Sequence, residues 1–176
     1  MFADPKHILM QSKIGEGMKV ADFGIGSGTY TLALAEAVGE HGVVYACDIQ
    51  KELLSKIKKD TESKGLKNVH VVWGDLEEAG GATLADGLLD VVVLSNVLFQ
   101  IEKKEILMHE AVRVLRGGGK VLIVDWKDSF GGTGPHADAV FGVHAARALA
   151  EKAGLTFEQD IDAGSHHYGM LLRKRR

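Results

Sequence analysis

The sequence predicts an α/β protein built on a Rossmann-like, doubly wound sheet, and three observations predict it. Strand-like and helix-like segments alternate along most of the 176 residues, as they do where helices cover both faces of a parallel sheet. A turn with glycine at every second position, Asp22-Phe23-Gly24-Ile25-Gly26-Ser27-Gly28, joins the first strand to the next helix. The last two strands, 155–161 and 168–173, are separated by 162–167 alone. That is shorter than the roughly dozen residues a right-handed crossover needs, so this final pair is antiparallel.

The elements follow in order. The first strand is 19–23. The helix 29–38 carries Ala33, Ala35 and Ala37, small enough for close packing on a sheet, and Gly39 suits its end. Strand 43–48 leads to helix 51–63, with Leu53, Leu54 and Ile57 turned inward and Lys56, Lys58 and Lys59 outward. Gly65 closes that helix before strand 69–73. Segment 77–87, rich in glycine and alanine, carries no periodicity that assigns it. The nearly unbroken apolar run 89–95 is expected of a central strand covered on both faces. Helix 103–115 has Leu107, Ala111, Val114 and Leu115 at helical spacing. Gly117-Gly118-Gly119 breaks it ahead of strand 120–125, and a glycine-rich loop, 129–142, leads to helix 144–153 and the closing hairpin.

The length suggests one domain over 1–176. A net charge of −3 creates no general attraction for nucleic acid, and no apolar run approaches the roughly 20 residues of a membrane span. The first residues lack a basic segment followed by an apolar one, so they do not read as a signal peptide. Cys47 is the sole cysteine, which leaves no intrachain disulfide and fits a reducing cytoplasm. Within an apolar strand it reads as a packing residue.

The chemistry concentrates at the carboxyl ends of the strands, where open α/β sheets bind ligands. Glycines 24, 26 and 28 permit positive φ and close approach to backbone. Asp48 ends the second strand, 20 residues after Gly28, where an acid can accept hydrogen bonds from both ribose hydroxyls of a nucleoside. Asp75, in Gly74-Asp75-Leu76, can accept from an exocyclic amine. Ser95-Asn96 ends the fourth strand. Taken singly, Asp48 reads equally well as a helix cap, Asp75 as a turn former and Asn96 as a loop brace. Their order and spacing together favour a nucleoside site.

The glycine spacing places Thr29 where a dinucleotide fingerprint needs its third glycine. No Lys-Ser/Thr pair completes a P-loop, and no tyrosine is followed four residues later by lysine. Asp22 would repel a phosphate and attract an ammonium or sulfonium. The residues therefore favour a cationic nucleoside without phosphate.

On these residues the chain resembles the class I S-adenosylmethionine-dependent methyltransferases. Residues Asp22 to Gly28, including Phe23, resemble the family's first motif, which cradles the methionine part. Asp48 matches its ribose-binding acid, with Ile49 beside the adenine, and Gly74-Asp75-Leu76 its adenine-binding motif. The run from Leu89 to Ser95 resembles its fourth strand. Leu115-Arg116-Gly117-Gly118-Gly119-Lys120 resembles the turn before strand five, with glycine in place of the usual proline. The resemblance implies a seven-stranded sheet in the order 3-2-1-4-5-7-6, with strand seven antiparallel, and S-adenosylmethionine as cofactor. Val124-Asp125-Trp126-Lys127 and Gly134-Pro135-His136 resemble, more loosely, the branch related to ubiquinone and menaquinone methyltransferases.

The acceptor is less defined. A small or lipid-like molecule is the leading expectation. RNA or protein acceptors, or a non-catalytic nucleoside-binding role, remain as alternatives. A base is needed only if the acceptor must lose a proton, and the candidates at the sheet's carboxyl edge are Asp125 and His136, followed by Asp138, His166, His167 and Tyr168. No histidine spacing suggests a metal. Asn96-Val97-Leu98-Phe99 has the asparagine and aromatic of an amino-methyltransferase turn but neither proline. The basic Arg173-Lys174-Arg175-Arg176 reads as a solvated terminus. The short segment before the first strand leaves the acceptor side open, to be closed by a large substrate, a homodimer or residues 1–14, whose Phe2, Ile8, Leu9 and Met10 form an apolar face.

Overall fold

The computed structural model describes residues 3–176. Its first element is a helix that periodicity did not single out, α1 (Pro5–Gln11). Asp4 caps it by accepting from the Lys6 N–H at 3.1 Å, and Pro5 occupies the first turn, where its missing N–H is not needed. Ile8 and Leu9 are buried, whereas Met10 is exposed. Phe2 lies outside the described residues.

The remaining elements alternate as expected: β1 (Lys19–Phe23), α2 (Thr29–Val38), β2 (Val43–Asp48), α3 (Lys51–Ser63), β3 (Val69–Trp73), β4 (Leu89–Ser95), α4 (Lys104–Val114), β5 (Leu115–Trp126), α5 (Val143–Lys152), β6 (Leu155–Ile161) and β7 (His167–Lys174). A short 3-10 turn, Ala137–Ala139, precedes α5. The sheet runs β3-β2-β1-β4-β5-β7-β6, with β7 antiparallel to both neighbours and the other pairs parallel. The expected strand order and the antiparallel seventh strand are both present.

Several boundaries differ from expectation by a residue or more, and two of the differences bear on the site. The triple glycine does not separate α4 from β5. The chain passes directly from helix to strand at Leu115, and an irregular register between Leu89 and Val91 absorbs the extra residues. The last strand starts at His167, one residue earlier than its apolar pattern suggests.

Side-chain alternation divides the core. Val20, Val93, Leu122 and Leu171 meet α1 and α2 on one face, and Ala21, Leu94, Ile123 and Leu172 meet α4 and α5 on the other. Gln11 ties the end of α1 to the last hairpin: its side chain donates to the Asp162 carbonyl at 3.0 Å and accepts the Asp162 N–H at 2.8 Å. Among the described residues no helix is long and apolar enough to cross a membrane.

Candidate active site

The loop after β1 turns sharply because Gly24, Gly26 and Gly28 all have positive φ (79°, 50° and 83°). At Gly24 a Cβ would also lie 2.9 Å from the Val97 side chain, so the loop packs against the turn after β4. Two cavities flank this loop, and both are lined by Gly24, Gly26 and Gln100.

The smaller, of about 240 Å³, lies towards β2 and β3. Asp48, Ile49, Gly74, Asp75 and Leu76 line it, so five of the expected cofactor residues share one wall. Asp48 is 6 % exposed, and one of its carboxylate oxygens accepts the Gln50 N–H at 2.9 Å. It therefore braces the entry to α3, while Gln50 itself occupies the cap position. Asp75 accepts the Glu77 N–H at 2.9 Å. The segment after it, unassigned from sequence, is a series of turns pinned from α4. The buried Glu110 carboxylate accepts the N–H groups of Gly80 and Ala82, each at 3.0 Å, and is held in turn by Arg113. Burial pushes the Glu110 carboxyl up, but these hydrogen bonds outweigh it and hold the group below the usual carboxylate range.

The wider cavity is a cleft of about 680 Å³ over the α1–α2 side. Asp22, Ser95, Trp126 and His167 line it from β1, β4, β5 and β7. They alternate in phase with Val20, Val93, Val124 and Leu171, all on that face of the sheet. Asp22 is 1 % exposed. Its carboxylate accepts from the Thr31 hydroxyl at 2.6 Å. Burial, reinforced by nearby Asp48, raises its carboxyl to about 7 despite that bond. Asn96 sits at φ +53°, a left-handed conformation asparagine tolerates. Its N–H extends the sheet to the Val124 carbonyl at 2.8 Å, and its side-chain oxygen is buried without a hydrogen-bond partner among the described residues.

The structure does not bring Asp125 or His136 to this cleft. Asp125 alternates with Trp126 and so faces the opposite side of β5, paired with Tyr168. It is fully buried and accepts the N–H groups of Leu98 and Trp126, each at 2.8 Å. It holds the loop after β4 in place. Burial lifts its carboxyl to about 6 against those bonds. His136 is exposed at the entry to the 3-10 turn and lines neither cavity. Phe23 is fully buried in the core, and Gly28 opens α2; neither lines a cavity. Tyr168 donates to the Phe141 carbonyl at 2.8 Å on the far face.

His167 is the histidine that reaches the cleft. It pairs directly with Trp126 across the antiparallel strands, the ring centroids 4.1 Å apart. It is 4 % exposed, and neither ring nitrogen has a hydrogen-bond partner among the described residues. Gly134 follows Trp126 closely: at φ +85° it crosses the indole ring, where a Cβ would lie 2.8 Å from it. Among the described residues no group of three or more His, Cys, Asp or Glu side chains is arranged to hold a metal.

Residues 14–167 match the family described as a methyltransferase domain. The chain is 30% identical over 120 residues to a demethylmenaquinone methyltransferase of Staphylococcus haemolyticus, covering 68% of this chain and 48% of that protein. It is 33% identical over 114 residues to an arsenite methyltransferase of Aquipseudomonas alcaligenes, covering 62% of this chain and 33% of that protein. The chain thus spans about half or less of the length of these curated relatives. A SAM-dependent methyltransferase from Aquifex aeolicus superposes with a TM-score of 0.89 at 27% identity, over 98% of this chain and 90% of that one.

Proposed function

The chain belongs to the class I S-adenosylmethionine-dependent methyltransferases, and on that premise we propose that residues 1–176 act as one domain transferring a methyl group to a small-molecule acceptor. The observation that carries this reading is Asp22. A carboxylate only 1 % exposed, lining the cleft, with a single side-chain donor among the described residues, favours a cationic ligand beside it. The methionine end of S-adenosylmethionine carries an ammonium and a sulfonium, which suit that position.

The other assignments follow from placement. Asp48, with one oxygen committed to Gln50, presents the other to the ribose hydroxyls. Asp75, beside Ile49 and Leu76, faces the adenine amine, and the backbone of Gly24 and Gly26 permits close approach between the two cavities. Ser95, which lines the wider cleft with Asp22, is assigned to the methionine end. The bound cofactor supplies an electrophilic methyl group. The chain's residues hold it, orient the acceptor in line with it and exclude water.

Of the acceptors named among the relatives, a ring-bearing quinone precursor suits this cleft better than arsenite. Trivalent arsenic is soft and favours thiolates, and the sole cysteine, Cys47, is buried in the core and lines neither cavity. Burial also pushes its thiol well up, against thiolate formation.

Calorimetry with S-adenosylmethionine, S-adenosylhomocysteine and NAD tests the donor assignment. Both sulfur nucleosides are expected to bind and NAD is not. Binding of NAD alone would overturn the proposal.

A further inference from the structure

The far end of the wider cleft holds more chemistry than a methyl donor requires. Among the described residues, His167 is buried with two unbonded ring nitrogens, and Asn96 and Tyr30 each add a buried, unbonded side-chain oxygen. Leaving such groups buried and unpaired is costly, so they are candidate positions for a ligand's hydrogen bonds. Tyr30, Phe99 and Trp126 supply aromatic walls. Among the described residues lining this cleft there is no lysine or arginine, and Asp22 is the sole carboxylate. Nothing there neutralises a phosphate or carboxylate on the acceptor.

Resting on the methyl-donor reading above, we infer that the acceptor is a neutral, ring-bearing molecule with a phenolic hydroxyl, and that His167 accepts the hydroxyl proton. An un-ionised phenol is a weak nucleophile and must lose its proton for transfer. Asn96 accepts no proton, burial pushes the Tyr30 hydroxyl up to about 12 so that it keeps its own proton, and Asp22 faces the cationic donor. His167 remains. Burial first, then His166 and Lys127, hold its pKa below the ordinary value, with Asp128 opposing. The ring therefore enters the reaction neutral, with a lone pair available.

The step balances. The O–H bond breaks and its proton passes to a ring nitrogen of His167, giving imidazolium and phenolate. A phenolate electron pair forms the new bond to the methyl carbon as the methyl–sulfur bond breaks. That bond's pair stays on sulfur as a thioether. Attack from oxygen gives an aryl methyl ether, and the imidazolium proton leaves to water. Attack from the adjacent ring carbon is followed by loss of that carbon's hydrogen as a proton to water, and His167 returns its proton to the oxygen.

The test uses 1-naphthol and 4-nitro-1-naphthol, the latter at a pH where it is already ionised, with methyl-labelled S-adenosylmethionine and the variants His167→Asn and His167→Gln. Both variants should bind S-adenosylhomocysteine within about 2-fold of wild type, which reports an intact donor site. Turnover of 1-naphthol should fall by about 100-fold or more, the scale of lost general-base catalysis. Turnover of the pre-ionised nitronaphthol should fall far less, because no proton needs removal. In protein with 15N-labelled histidine, 1-naphthol should shift the His167 ring resonances. Equal losses on both acceptors, no loss on 1-naphthol, or no transfer to either phenol by a protein that binds the donor would each overturn this inference. Failure to bind the sulfur nucleosides at all would instead sink the methyl-donor reading on which it rests.

Discussion

The hydroxyl of Thr31, one turn into α2, donates to the carboxylate of Asp22 across 2.6 Å. Among the described residues it is the one side-chain donor that this buried charge receives. The bond offsets part of the burial cost and leaves the carboxyl at about 7 instead of its ordinary 3.8. In this window the folded protein holds a proton that the unfolded chain has released. Stability from this group is therefore greatest at low pH and declines as pH rises from about 4 to about 7. A cationic ligand reverses the preference, since it favours the ionised form.

Two opposite effects of one substitution follow. Asp22→Asn should stabilise the ligand-free protein above pH 7 by on the order of 1 kcal/mol, because it removes a buried charge. It should also weaken S-adenosylmethionine binding by about 10-fold or more. In the wild type that affinity should fall as pH drops through about 7. Thermal melts and calorimetry across pH measure both effects, and a pH-independent wild-type affinity would separate Asp22 from the ligand.

Asp48→Ala should weaken S-adenosylmethionine binding by about 10- to 100-fold, the scale of hydrogen bonds to a charged acceptor. The Gln50 N–H loses its partner as well, so a small drop in melting temperature accompanies the change. Unchanged calorimetric affinity would reduce Asp48 to a brace for α3.

Asp125→Ala should cost about 3 kcal/mol of stability, since the buried N–H groups of Leu98 and Trp126 lose their acceptor. Its effect on transfer should appear through disorder of the loop after β4. Urea denaturation gives the first quantity. A stable variant with lost turnover would instead return Asp125 to the catalytic list.

Glu110→Gln should destabilise the protein by about 2 kcal/mol near neutral pH and loosen the turns that wall the smaller cavity. The wild-type carboxyl is held low, so its contribution is present at neutral pH and fades as pH falls through the carboxylate range. The gap between variant and wild type should narrow there. Hydrogen exchange at the Gly80 and Ala82 amides reports the loosening directly.

The residues proposed to hold the donor are legible in the sequence because they stand in short contiguous motifs at strand ends. Asp22, Asp48 and Asp75 each declare themselves by a neighbouring glycine or a strand boundary. The acceptor half depends on pairing between strands distant in sequence. His167 faces the cleft because β7 extends back to include it, opposite Trp126 and in phase with Leu171, whereas Tyr168 alternates to the far face. Asp125 carried a usable signal: it alternates with Trp126, so the two cannot share a face. Glu110 carried another, a carboxylate three residues from Leu107 and one from Ala111 in the buried stripe of α4. A charge in that stripe announces a partner, but nothing local identifies that partner as the turns after β3.

The antiparallel insertion of β7 has a practical consequence. Because that strand runs backwards, its beginning, not its end, arrives at the edge where the parallel strands finish. Among the described residues, those lining the smaller cavity run from Gly24 to Ile101, while the later chain contributes Trp126, Thr133, Gly134 and His167 to the wider cleft alone. Grafting 127–167 from a relative with another acceptor should therefore change what is methylated while leaving the affinity for the donor nearly as it was.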